Sequence, residues 1–237
     1  MARTNLDERL IITPLLDPIK QVGPGTVDLR LGTEFLEFNR AGQRLLDAFG
    51  DDDPTLQEVA HERRTVVPLG AGLALHPGQF ILGSTLEFLS LPADISGQVV
   101  SRSSWGRLGL LVATAVAVHP GYKGVLTLEL VNTGGIPIML RPGARVAQIQ
   151  LWLAESPTSL PYSTGGKYRV PVGPESAKLE SERPEGRKLI EISQLLTRHR
   201  RSATEADVAN PVDSPPIAAS SISERSEPAG EDSGVTG

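Results

Sequence analysis

Turn-forming residues recur along this chain and cut it into short apolar runs. His76-Pro77-Gly78, Pro92-Ala93-Asp94, His119-Pro120-Gly121 and Arg141-Pro142-Gly143 each stand between two such runs. Pro presets φ and Gly accepts positive φ, so these triplets make turns. With 24 Gly and 19 Pro in the chain, this punctuation predicts an all-β fold. The runs that read as strands are Thr26–Leu31, Phe35–Phe38, Gly72–Leu75, Gln79–Leu82, Glu87–Ser90, Gly97–Ser101, Val125–Val131, Ile136–Leu140 and Ala147–Leu153. No repeat of 20–50 residues stands out, which argues against a solenoid. Residues 43–64 are polar and acidic and read as an insertion or short helices. Leu189, Ile192 and Leu196 recur at helical intervals, so a terminal helix is expected over 186–200.

Charge divides the 237 residues unevenly. The formal charge is −5. Residues 201–237 hold seven acids and two bases, which accounts for all of it and leaves residues 1–200 neutral. The tail has no aromatic residue and no Leu, too little apolar surface to offset the entropy of ordering. The expected organisation is therefore one domain over 1–200 and a disordered acidic tail over 201–237.

Several classes of function are excluded by composition. With no Cys there is no disulfide scaffold, Cys-ligated metal centre or thiol nucleophile. No apolar run approaches 18 residues, so no membrane-spanning helix is expected. MARTNLDERL lacks the apolar core of a signal peptide, and a cytoplasmic location is the default. A body of zero net charge also argues against general nucleic-acid binding, which rests on phosphate neutralisation.

Two segments carry chemistry. In Val125–Val131, Leu126, Leu128 and Leu130 share one face of the strand. Val125, Thr127, Glu129 and Val131 share the other. Glu129 is the only charge in this strand. A strand carboxylate commonly faces solvent; the other role is a pocket acid with a raised pKa, suited to general acid–base work. The second segment, Ser101–Gly109, puts Arg102, Ser103, Ser104 and Arg107 within six residues. Guanidinium forks and hydroxyls suit a polyanion such as a triphosphate, although such clusters also make ordinary turns and salt bridges.

Read in order, GTVDLRLGTEF (25–35), HPGQFILGSTLEFLSLP (76–92), SRSSWGRLGL (101–110), TAVAVHPGYKGVLTLELVN (114–132), IPIMLRPGARVAQIQL (136–151) and KYRVPVGPES (167–176) resemble the dCTP deaminase branch of the dUTPase-like superfamily. The resemblance spans about residues 5–178. It implies a mainly β fold, a distorted β-barrel of the dUTPase-like type with a few short helices. It also implies a homotrimer with sites between subunits and a segment near 160–178 that closes over the nucleotide. The implied reaction converts dCTP to dUTP and ammonia. By matching positions Glu129 is the proton shuttle, and Ser103 and Arg107 orient the water and the base. Arg102, Ser104 and Lys167 meet the triphosphate, carried as its Mg²⁺ complex, and Ala115 completes the pocket with its backbone. Thr127, Leu128, His119, Tyr162 and Tyr168 complete the expected substrate-binding set. The partners implied are dCTP and dUTP, with dTTP as an inhibitor.

The zinc-dependent deaminases need H-x-E followed by P-C-x-x-C. Here there is no Cys, and His61, His76, His119 and His199 stand in no H-x-E. Deamination by this chain would therefore use no zinc. Three positions depart from the family pattern. His119 stands where an Asp is usual, Val116-Ala117 replaces a polar pair, and Pro171 replaces a Gln. The first of these weakens a triphosphatase reading more than a deaminase one. Two alternatives stand beside deamination: a bifunctional dCTP deaminase/dUTPase releasing dUMP and pyrophosphate, and a non-catalytic dNTP-binding sensor, which the His119 and Pro171 departures motivate. Gly165-Gly166-Lys167 is no P-loop, because Tyr168 follows in place of Ser or Thr. Trp105 is expected to pack beneath its loop, His76 to serve its turn, and Asp51–Asp53, His61 and His199 to be solvated.

Overall fold

One 13-residue strand organises the molecule. A computed structural model describes residue 5 and residues 8–38, 62–113, 117–178 and 183–209, with the side chains of the last stretch described over 184–199. The strands are β1 (Ile11–Thr13), β2 (Thr26–Phe38), β3 (Glu62–Val66), β4 (Leu73–Leu75), β5 (Phe80–Ser90), β6 (Ile95–Ser101), β7 (Leu110–Val112), β8 (Ala117–Val118), β9 (Lys123–Asn132), β10 (Ile138–Leu140) and β11 (Arg145–Leu153). The helices are α1 (Pro18–Gln21), α2 (Ser103–Gly106), α3 (Tyr162–Gly165) and α4 (Arg183–Ala209). The predicted runs Thr26–Leu31 and Phe35–Phe38 are the two halves of β2. Its first half pairs with β11 and its second with β5 and β3, all antiparallel.

The main sheet runs β7-β9-β5-β2-β11-β6-β8, with β1 on β5 and β3 on β2; β4 and β10 form a second, two-stranded sheet. Register shifts fall between Leu31 and Phe35 in β2 and between Ser84 and Phe88 in β5. Such irregularities bend strands and raise their twist, and they lie where the sequence reading left gaps. Gly32 sits at this bend. A Cβ there would lie 2.8 Å from the Ser84 hydroxyl and 3.0 Å from its carbonyl oxygen. In the gap of the β5–β9 ladder the Leu126 N–H donates to the Thr85 hydroxyl at 2.9 Å, so no buried amide is orphaned there.

Bending brings opposite ends of the sheet together. The Ser101 hydroxyl, at the end of β6, accepts from Val112 N at 3.1 Å and donates to Val112 O at 3.2 Å, on β7. A side chain thus bridges a seam that the strand ladder leaves open, as befits a distorted barrel. Inside lie Leu29, Leu31, Phe35, Ile81, Leu89, Leu110, Leu128, Leu130, Leu140 and Ile149, all essentially inaccessible.

Part of the 43–64 reading is corrected. Residues 62–64 belong to β3, paired with Phe38–Leu36 of β2, because an edge strand tolerates polar side chains on its solvent face. Residues 43–61, including His61 and Asp51–Asp53, lie outside the described residues. The expected terminal helix is present as α4, starting three residues earlier and running to Ala209. The chain divides into two compact units, Met1–Gly186 and Arg187–Gly237. Among the described residues no helix is long and apolar enough to cross a membrane.

Candidate active site

Alternation along β9 sorts its side chains as the sequence predicts. Leu126, Leu128 and Leu130 are buried in the core, whereas Thr127, Glu129 and Val131 are half-buried on the opposite face. The Leu128 side chain therefore belongs to the core, and only its main chain is left to serve a ligand. Glu129 pairs with Leu82 of β5. On the other side its carbonyl oxygen accepts the Ala113 N–H at 2.8 Å. That bond places the chain leaving β7 beside Glu129; Thr114, Ala115 and Val116, next along it, lie outside the described residues.

The segment after α3 runs beside β9 and forms a strap. Pro171 O accepts Val125 N–H at 2.9 Å, and Glu175 N–H donates to the Thr127 hydroxyl at 3.2 Å. Gly124, with φ of 139°, makes room: a Cβ there would run into the Pro171 ring. Val170 just before has φ of 47°, a strained value for a β-branched residue. Farther along, Pro174 O accepts from Arg64 Nη2 at 3.4 Å.

Aromatic rings anchor the start of the strap. His119 is exposed and stacks on Tyr162, with ring centroids 5.7 Å apart and 15° between planes. Tyr162 also lies 5.7 Å from Tyr122, and its hydroxyl accepts Tyr168 N–H at 2.9 Å. Burial, with smaller contributions from Tyr162 and Glu175, pushes the Tyr122 phenol well above its ordinary range; it donates to Val125 O at 2.6 Å. The Tyr168 hydroxyl accepts from Lys178 N–H at 3.3 Å. The Lys178 ammonium bonds Glu175 at 2.6 Å and lies over the Tyr168 ring, 4.8 Å from its centroid. This bond, donated to Glu175, is the main cause that raises the Lys178 pKa. Lys167 is exposed on this strap.

Arg102 caps α2, on which Ser103, Ser104 and the following Arg107 are exposed. Its Nε lies 3.3 Å from Asp28 Oδ1, and its Nη1 donates to Arg145 O at 3.1 Å. The same carbonyl accepts Trp105 Nε1 at 2.8 Å, so Trp105 packs beneath its loop as expected. Arg145 Nη1 reaches Asp28 Oδ2 at 3.0 Å and Lys20 O at 2.7 Å. Sequence reasoning singled out Arg102 and missed Asp28 and Arg145, which lie 74 and 43 residues away in the chain. An acid in a run that otherwise reads as buried strand, Thr26–Leu31, was the available signal.

A second carboxylate also escaped the sequence reading. Glu87 is fully buried. Its Oε1 accepts from Gln21 Nε2 at 3.0 Å and its Oε2 from Arg30 N at 2.8 Å. Burial pushes its pKa up, opposed by these bonds and by the Arg30 charge. The network ties α1 to β2 and β5. Of the histidines, His76 is exposed and its backbone N–H bonds the Gln79 side chain within the turn, and His199 is exposed on α4. Among the described residues no group of three or more His, Asp or Glu is placed to hold a metal ion.

These positions fall within a recognised family. A family model described as dCTP deaminase-like matches residues 1–154. The chain is 43% identical over 178 residues to the dUMP-forming dCTP deaminase of Dictyoglomus turgidum, covering 73% of this chain and 89% of that protein. It is 43% identical over 188 residues to the dCTP deaminase of Natronomonas pharaonis, covering 78% and 94%. Among solved structures, the 2′-deoxycytidine 5′-triphosphate deaminase of Agrobacterium tumefaciens is 28% identical with a TM-score of 0.46, over 62% of this chain and 44% of that one. Matched along its barrel and over most of the length of its relatives, the chain belongs to the dCTP deaminase-like family.

Proposed function

We propose that this protein deaminates dCTP to dUTP and ammonia in the cytoplasm, with Glu129 moving the protons. The observation that carries this reading is the half-buried Glu129 on the strand face whose Thr127 hydroxyl holds the strap, in a chain 43% identical to dCTP deaminases. Water supplies the oxygen that bonds to C4 of cytosine. Glu129 takes one of its protons and passes it to the 4-amino group, the bond from C4 to that amino nitrogen breaks, ammonia leaves, and the remaining hydroxyl proton moves to N3 to leave the uracil carbonyl. General acid–base transfer of this kind contributes about 10²–10⁴-fold, so positioning and hydrogen-bond donors supply the rest. Ser103 and Arg107 orient the water and the base, and the Ala115 backbone completes the pocket. Main chain at Leu128 and the Thr127 side chain line it, and His119 serves the sugar.

Arg102, Ser104 and Lys167 take the triphosphate with its Mg²⁺, because forked and charge-assisted donors match phosphate oxygens. Tyr162 and Tyr168 hold the strap over it. A homotrimer, with α2 of one subunit facing β9 of another, brings these groups together; dTTP competes for the same pocket. The second reading, deamination followed by triphosphate hydrolysis, is favoured by the dUMP-forming activity for which relatives are named.

Incubation with dCTP and Mg²⁺ decides among these. Equimolar dUTP and ammonia support deamination alone, and dUMP with pyrophosphate supports the bifunctional reading. Measurable dCTP binding with no product overturns both in favour of a nucleotide sensor.

A further inference from the structure

We propose that Asp28, acting with an irregularity of β11 at Arg145, is a positioning residue that sets the direction of the Arg102 guanidinium toward the triphosphate. This rests on the reading of Arg102 as a triphosphate ligand. Three observations carry it.

The first is geometric. The β11–β2 register shifts between Arg145 and Ala147, and bulges of this kind re-aim a backbone group away from the ladder. Arg145 O accepts two side-chain N–H groups of the α2 region, Arg102 Nη1 at 3.1 Å and Trp105 Nε1 at 2.8 Å. The neighbouring Val146 O accepts Arg102 N at 3.2 Å. The loop is thus fastened at main chain and side chain to the irregular stretch of β11.

The second is electrostatic. Asp28 is nearly buried and divides its two oxygens between two guanidiniums, Oδ1 to Arg102 and Oδ2 to Arg145. One carboxylate between two Arg side chains leaves a net positive charge and suppresses their mutual repulsion. The Asp28 main chain is held as well, since Gln21 Nε2 donates to Asp28 O at 3.2 Å.

The third is the inventory of donors. A guanidinium is a rigid planar fork. With Nε in ion-pair contact with Asp28 and one Nη1 hydrogen donated to Arg145 O, the plane is held and the remaining N–H groups are preorganised. A planar donor held in one plane binds phosphate without losing rotamer freedom at that step. Asp28 touches neither the base nor the reacting C4 in this scheme; it acts through Arg102.

The test is a double-mutant cycle on the full-length protein with Asp28→Asn and Arg102→Gln. Mg²⁺·dCTP turnover is measured, and binding of Mg²⁺·dCTP and of dCMP is measured by calorimetry. Asp28→Asn is expected to raise the dCTP KM about tenfold or more, the size of a lost charge-assisted contact, with kcat within about twofold. The affinity loss for dCTP should greatly exceed that for dCMP. In the Arg102→Gln background the same substitution should change KM little, because coupled residues are non-additive.

Equal weakening toward dCTP and dCMP, or additive effects in the cycle, overturns the proposal. Where Asp28→Asn fails to fold, Arg145→Met takes its place: it keeps the carbonyl and the Arg102–Asp28 pair but removes the Nη1 donor from Asp28 Oδ2. A smaller rise in dCTP KM supports the proposal, and an unchanged KM overturns it. Wild-type protein that binds dCTP without deaminating it sinks the deaminase reading alone, and the cycle is then read from triphosphate affinity.

Discussion

The Glu175 N–H donates to the Thr127 hydroxyl at 3.2 Å, two residues from Glu129 on the same face of β9. A strap residue is therefore held directly on the strand that carries the central acid. Pro171 bonds the same strand at Val125, so two bonds fasten the strap to β9, two and four positions from Glu129.

Gly124→Ala tests that coupling. The added methyl collides with the Pro171 ring at a backbone φ of 139°, where an L side chain is strained. The strap must then lift from β9. The expected outcome is a dCTP KM raised severalfold or more, with faster proteolysis within 167–176. Unchanged kinetics and unchanged proteolysis would detach the strap from catalysis.

Glu129→Gln keeps the shape of the side chain and the main-chain pairing with Leu82, but it removes the proton acceptor. Deamination should fall by about 10²–10⁴-fold, the usual worth of a general acid–base group, with dCTP affinity retained. Calorimetry beside an ammonia-release assay separates the two quantities. Full turnover in this variant removes Glu129 from the mechanism.

Ser101→Ala opens the barrel seam. The Val112 N–H and C=O lose their hydroxyl partner, and a buried polar group left unpaired costs about 1–3 kcal/mol. Each kcal/mol lowers Tm by roughly 2–4 °C in a domain of this size. Because β7 leads into Ala113, which bonds Glu129 O, kcat should fall as well. Differential scanning calorimetry and steady-state rates check the pair of effects.

Glu87 makes stability depend on pH with a definite sign. Burial raises its folded-state pKa above the ordinary 4.5, so the folded chain holds this proton to higher pH than the unfolded chain does. Its contribution is full below the unfolded value and is lost as pH rises through the folded one. Glu87→Gln abolishes that slope. It also turns an amide NH₂ toward the Arg30 or Gln21 N–H that the carboxylate now accepts, at a cost of about 1–3 kcal/mol. Urea unfolding at a series of pH values upward from 4.5 should show a falling stability for the wild type and a lower, flatter line for the variant.

Much of this protein was determined by its sequence read as a one-dimensional pattern. Alternation in Val125–Val131 put Leu126, Leu128 and Leu130 inside and Thr127 and Glu129 on the other face, because strand side chains alternate strictly. Turn triplets located most strands, and helical spacing located α4. Local signals of that kind depend on neighbours within a few residues.

The tertiary structure decided what depends on distant partners. Thr26–Leu31 and Phe35–Phe38 join as β2 because Gly32 lets the strand bend against Ser84, a contact across 52 residues. The short β7 and β8 carry too few residues for a periodicity and exist through their pairing with β9 and β6. The Asp28 carboxylate meets Arg102 and Arg145, and Glu87 meets Gln21 and Arg30, only after the sheet curls. A charge reads from sequence as a residue type; its partner is set by where the chain returns, and that is a property of the fold.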